Sequence, residues 1–242
     1  MAEVREDEAS SDRIVRRKLS DLVFERMQEM ILGGDLAAGE ALPSEHALMQ
    51  RFGVGRPAVR EALQSLHTLG LITISHGERS RVNTLTPDAV LRQGDAVARM
   101  LLSTAPESLE ELKQARGMFE LGMVRVAAER VTPEAAAELR ALVDRQRAML
   151  GDPPAFIRAD IAFHVRIAEL SGNRILAAVS QAMLGWLFRF HTDLLIWSGN
   201  EEVTLAEHRE ITARVAAGDR EGAAVAMDAH LRRSNPLYRH PE

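Results

Sequence analysis

The segment "LPSEHALMQRFGVGRPAVREALQSL", residues 42–66, constrains the fold of this chain more than any other. Ser44 stands where a side-chain oxygen can cap a helix, Glu45 follows in a first turn whose macrodipole favours an acid, and Leu48 and Phe52 supply an apolar stripe before Gly53 ends it. A few residues on, Gly55 can cap a further helix, and Pro57 is tolerated in its first turn because that position has no intrahelical acceptor to serve. Val59, Ala62, Leu63 and Leu66 form its inner stripe, while Arg56, Arg60, Gln64 and His67 stack away from it at three- and four-residue intervals. Two short helices joined by a tight turn, the second showing arginines at its exposed N-terminal end, are helix-turn-helix geometry.

The flanks complete a small module. Leu19, Leu22, Val23, Met27, Met30 and Ile31 repeat at helical spacing before Gly33 and Gly34, which predicts a first helix with those residues inside. "LITISHGERSRV" reads as a two-stranded wing turning at His76-Gly77, with Arg79 and Arg81 alternating with Ser80 and Val82. The chain carries a net charge of −5, yet residues 41–83 hold Arg51, Arg56, Arg60, Arg79 and Arg81 against Glu45, Glu61 and Glu78. Either recognition-helix arginine alone reads as the solvated face of a surface helix. Short helix, glycine turn, arginine-bearing helix and basic hairpin together point to guanidiniums reaching guanine edges or phosphates in a major groove.

At this point residues 17–83 resemble the winged-helix domain of the GntR family of bacterial transcription regulators, whose pattern runs roughly L-P-S-E-R-x-L-x-x-x-F-x-V-S-R-x-x-V-R-E-A-L. The resemblance implies a DNA-binding set of Ser44, His46, Gly55, Arg56, Ala58, Arg60, His76 and Gly77, joined by the wing's Arg79 and Arg81. Two positions depart from the pattern: His46 replaces an arginine, and Gly55 replaces a serine or threonine, altering a phosphate contact and the base preference.

With no cysteine the chain can form neither disulfides nor thiolate metal sites, and a reducing cytoplasm is the default compartment. Residues 1–16 are charged and lack an apolar centre, so they read as a disordered arm rather than a signal peptide or membrane anchor. No run approaches the ~20 apolar residues a bilayer-spanning helix needs. "NTLTPDAV" marks a boundary: residues 84–88 read as a linker, and 89–236 as an all-α bundle. Seven helical segments are expected there, near 88–103, 107–130, 133–150, 154–171, 174–197, 201–217 and 219–234, with no strand pattern and no phosphate loop. The expected fold is therefore mostly α, a winged helix-turn-helix followed by a helical bundle.

The bundle hides an odd set of polar residues. Asp160 and His164, four apart, share a helix side with Phe156 and Ile167; His208 has Leu205, Ile211 and Val215 at neighbouring turns, and His230 sits beside Ala226, Met227 and Ser234. Any one of these histidines reads as a core residue bonded to a carbonyl, as His191 and His240 do. Four inward polar groups together are costly without partners, and one divalent metal satisfies them all. Nitrogen and oxygen donors suit zinc first, then nickel, manganese or iron.

The spacing Asp-x3-His, then histidines 44 and 22 residues further on, resembles the metal-binding subset of the FCD domain, the helical effector domain of one GntR branch. That resemblance implies ligation by Asp160, His164, His208 and His230, and a homodimer on an operator with dyad symmetry. It also implies a small carboxylate effector met by Arg116, Asn173 and Arg189. For Arg116 with Glu120, a plain surface pair on one helix remains the alternative. "VGRPAVREAL", "HGERSRV", "AFIRADIAFH" and Gly172-Asn173 with Trp186 are most similar to the sialic-acid-responsive repressors, implying a sugar acid as effector. The rival readings are an enzyme built on a hydroxide-bearing Asp/His3 centre, and a regulator whose metal only ties helices together.

Overall fold

A computed structural model of the chain describes residues 17–75, 78–84, 86–188 and 200–238. The N-terminal arm, the wing turn at His76 and Gly77, and Arg189, His191 and His240 lie outside the described residues. The chain divides after residue 85 into two compact units.

In the first unit, α1 (Leu19–Leu32), α2 (Glu45–Phe52) and α3 (Arg56–Thr68) enclose Val23, Met27, Leu48, Val59, Ala62 and Leu66. The Ser44 hydroxyl accepts the Ala47 N–H at 3.2 Å and starts α2. Gly53, at φ 63°, ends it, turning the chain toward α3 through a left-handed conformation that other residues resist. The inner stripe of α1 is Ser20, Val23, Met27 and Met30. Leu19 and Leu22 lie one position round the helix and are exposed, contrary to the expected apolar set.

Strands β1 (Ile72–Thr73) and β2 (Arg81–Val82) pair antiparallel, Ile72 opposite Val82 and Thr73 opposite Arg81. The wing is wider than expected. Residues 39–42 lie along the other edge of β2, with Gly39 N–H donating to Val82 O (2.8 Å), Val82 N–H to Glu40 O (2.9 Å) and Leu42 N–H to Ser80 O (2.7 Å). "GEAL" is too short to show an alternating period, so nothing local announces this pairing.

The second unit is helical: α4 (Pro87–Gln93), α5 (Asp95–Thr104), α6 (Pro106–Arg130), α7 (Pro133–Arg147), α8 (Pro153–Leu170), α9 (Arg174–Leu187), α10 (Asn200–Ala216) and α11 (Arg220–Ser234), then a 3₁₀ turn at Asn235–Leu237. Side chains of Thr132, Asp152, Asn173 and Asp219 cap α7, α8, α9 and α11. The helix expected near 88–103 is two, broken at Gly94, and the segment expected over 174–197 is helical to Leu187 before the described residues stop. Helix α6 packs against α8 and α11, and α10 against α7 and α11, around Val124, Leu139, Phe163, Ile167, Leu205 and Met227. Among the described residues no helix is long and apolar enough to cross a membrane.

Candidate DNA interface and metal centre

Arg56 and Arg60 project from the first turns of α3 with side chains 62% and 67% exposed. Both face Glu45, the first residue of α2. Arg60 Nε donates to Glu45 Oε1 at 3.0 Å, and Arg56 Nε lies 3.9 Å from Oε2. The Arg60 contact engages Nε rather than the terminal nitrogens of the fork that binds guanine or phosphate. A groove of about 490 Å³ runs beside α3, lined by Ser44, Arg60 and Gln64 from the helices and by Ile74, Arg79 and Ser80 from the wing.

His46 is exposed, one ring nitrogen 3.2 Å from Gln50 Nε2, and Arg81 Nη1 donates to Gly39 O at 3.2 Å. Gly55 starts α3 with an ordinary φ of −75°, and Ala58 is half-buried. Glu45 is the residue sequence reasoning placed for its effect on the helix dipole and missed as the arginines' partner. Fifteen residues separate it from Arg60, and only the packing of α2 on α3 brings them together.

In the bundle, Asp160 and His164 of α8, His208 of α10 and His230 of α11 each offer a ligand atom, all within 4.8 Å of one another. The three histidines are buried and Asp160 partly so. Each ring is gripped from behind through Nδ1: His164 by Glu120, His208 by Gln146 Oε1 (2.8 Å), His230 by Glu207 Oε2 (2.7 Å). Each imidazole thereby turns Nε2 toward the others. His208 Nε2 and His230 Nε2, though enclosed, have no hydrogen-bond partner, and Asp160 Oδ1 lies 3.5 Å from the former.

Burial, then the neighbouring His230 and His164, pushes His208 well below the ordinary imidazole range; burial also lowers His230, although Glu207 opposes it. The inward-facing Nε2 atoms of His208 and His230, each ring held from behind at Nδ1, together with His164 and the Asp160 carboxylate, make the donor set a divalent metal requires. Ligands of one ion at ~2.1 Å lie no more than ~4.2 Å apart, so atoms within 4.8 Å of one another would draw inward to close on it. The residues fit the metal.

Arg116 is not a surface residue. It is 1% exposed, donates through Nε to Glu120 Oε1 (2.6 Å) and through Nη1 to the Tyr238 hydroxyl (3.0 Å), and has Nη2 3.5 Å from His164 Nε2. Burial works against the charge on Glu120, yet His164 and Arg116 hold its carboxyl well below the usual carboxylate range. Asn173 stands elsewhere: it is exposed, and its side-chain oxygen accepts the Ile175 N–H at 3.0 Å as the cap of α9. Sequence reasoning missed Gln146, Glu207 and Tyr238, because each meets its partner across helices with no spacing to betray it.

Comparison with known proteins finds a family match in each unit. Residues 19–82 match the gntR family of bacterial regulatory proteins and residues 111–233 match the FCD domain. The chain is 38% identical over 222 residues to the HTH-type transcriptional repressor NanR of Cronobacter sakazakii, covering 90% of this chain and 84% of that one. It is 36% identical over 228 residues to the NanR of Klebsiella aerogenes, covering 93% and 87%. Among solved structures, Streptococcus agalactiae GntR shares the fold with a TM-score of 0.65 at 22% identity, over 90% of this chain and 99% of its own. These matches are to transcription regulators and set the enzyme reading aside. The chain belongs to the gntR family of bacterial transcription regulators, in the group that carries an FCD domain.

Proposed function

We propose that this regulator is a cytoplasmic, homodimeric repressor whose DNA grip is loosened by a small acidic metabolite. Residues 17–83 form the DNA-binding domain; the linker expected over 84–88 is shorter, since α4 begins at Pro87, and the helical unit through Tyr238 is the sensing and dimerisation domain. Two copies of α3 and the wing meet half-sites of an operator with dyad symmetry, Arg56 and Arg60 reading bases while Arg79 and Arg81 meet phosphates. Likeness to proteins named as repressors supports the sign of the effect.

In the helical domain Asp160, His164, His208 and His230 hold a divalent metal, zinc first among the candidates. When bound, the metal supplies a cationic seat for a carboxylate. The observation that carries this reading is the pair of enclosed, unpartnered Nε2 atoms on His208 and His230 beside Asp160. Such atoms cost about 1–3 kcal/mol each if nothing meets them. Arg116, buried at the edge of the cluster, is the residue that receives the effector's carboxylate. The resemblance to sialic-acid-responsive repressors favours a sialic acid or another sugar acid.

The test is operator binding with and without N-acetylneuraminate, in metal-replete and chelated protein. The operator is first recovered by selection from a random duplex pool. Acid-dependent release that disappears on chelation supports sensing through the metal. Release that survives chelation assigns the metal to structure alone, and no release with any sugar acid overturns the effector reading.

A further inference from the structure

Tyr238 is the chain's single tyrosine, carried on the tail that leaves α11 through the 3₁₀ turn. A side chain at the end of a helical body is ordinarily solvated. This one is 5% exposed, packed with Leu102 of α5, Leu109 and Leu112 of α6, and Met183 and Leu187 of α9. Its hydroxyl oxygen accepts from Arg116 Nη1 at 3.0 Å, and the guanidinium carbon lies 5.5 Å from the ring centroid.

The three donor positions of Arg116 are occupied unequally. Nε is committed to Glu120, which also grips His164, so that contact belongs to the support of the histidine cluster. Nη2 faces His164 Nε2 at 3.5 Å, the limit of a hydrogen bond, and that ring nitrogen is one a metal would take. Nη1 is held by the phenol oxygen of a tail residue. A carboxylate grips arginine best through two nitrogens at once, and the charge-assisted bonds it forms are roughly twice as strong as neutral ones. With Nε spoken for, a two-point grip falls to the end of the guanidinium and needs both terminal nitrogens. Tyr238 already takes a bond from one of them.

We propose that Tyr238 occupies, on Arg116, the place that the effector's carboxylate takes, so that effector entry displaces Tyr238 and its tail from the cluster formed by α5, α6 and α9. The inference rests on the effector reading of Arg116 above. It makes Tyr238 an internal stand-in for the ligand, and effector affinity is then set partly by how well the ring fits its seat among the leucines.

Because the tyrosine is unique, the full-length, zinc-loaded protein made with 3-fluorotyrosine gives one fluorine resonance. Saturating N-acetylneuraminate, with binding followed in parallel by calorimetry, should move that resonance to the position of a solvent-exposed fluorotyrosine. Heat of binding with an unmoved resonance overturns the proposal. Absence of any heat overturns the effector reading itself and this inference with it. In a second measurement, Tyr238→Phe keeps the ring and removes the hydroxyl's claim on Nη1. The acid should then bind about five- to tenfold more tightly, since the ligand no longer competes for its donor. Equal or weaker binding, with metal stoichiometry confirming an intact cluster, contradicts the competition.

Discussion

Arg60 shows how much a single residue's role depends on what meets it. Held at Nε by Glu45, its guanidinium presents the terminal fork, the edge that pairs with guanine O6 and N7. Arg60→Ala should cost about 1–3 kcal/mol on the selected operator and little on a scrambled duplex. Equal losses in a titration of the two duplexes would assign the residue to phosphate instead. The buried histidines make a prediction in pH. His208 and His230 titrate below their ordinary value of 6.5 in the folded protein, so below about pH 6.5 the unfolded chain binds protons that the folded chain refuses. Stability that is present at neutral pH is therefore lost as the solution is acidified through the window beneath 6.5. The melting temperature of the chelated protein should fall between pH 7.5 and pH 5.5, and His208→Gln should flatten that slope. Asp160 and the three histidines were legible one by one, since each sits on an apolar helix face. Their backing partners were not, because Gln146, Glu120 and Glu207 act from other helices or from distant turns.

At the scale of elements, the turn between α2 and α3 carries the geometry of the proposed DNA interface. A side chain at Gly53 meets no atom within 4 Å, so the cost of Gly53→Ala is the left-handed backbone alone, about 1–2 kcal/mol in chemical denaturation. Gly53→Asn should cost less, because asparagine tolerates that conformation. Helix α7 contributes Gln146, which holds His208 through one side-chain atom and Asp160 through the other, at 2.8 and 3.2 Å. Gln146→Ala should weaken metal binding roughly 10- to 100-fold, measured by competition with a chromogenic chelator. An unchanged metal affinity would mean that the helices alone orient the ligands. Most of these helices were readable from a 3.6-residue apolar period closed by caps and glycines. The break at Gly94 and the pairing of residues 39–42 with β2 were not, because a lone glycine and a four-residue edge carry no period.

At the scale of the molecule, the apolar clusters stay within their own units: one lies wholly in residues 23–82, the others beyond residue 101. A metal held at the proposed site, by Asp160, His164, His208 and His230 of the second unit, should therefore stabilise that unit. At a metal concentration 100-fold above its dissociation constant the gain is about 2.7 kcal/mol. Chelation should lower the calorimetric transition of the helical unit and leave that of the winged helix in place. A uniform shift of both would show the two cores to be one cooperative body.

Periodicity, caps and glycine turns settle much of this protein without any tertiary information, because they are local properties of the backbone and its nearest side chains. They place an arginine-bearing helix after a tight turn, a hairpin behind it, and three histidines with one aspartate on the inner faces of later helices. Only the folded chain decides what those residues meet. Which way each imidazole turns, which carboxylate holds Arg60, and that a tyrosine from the tail closes over Arg116 are set by side chains far apart in sequence, and those partners are chosen by packing rather than by spacing.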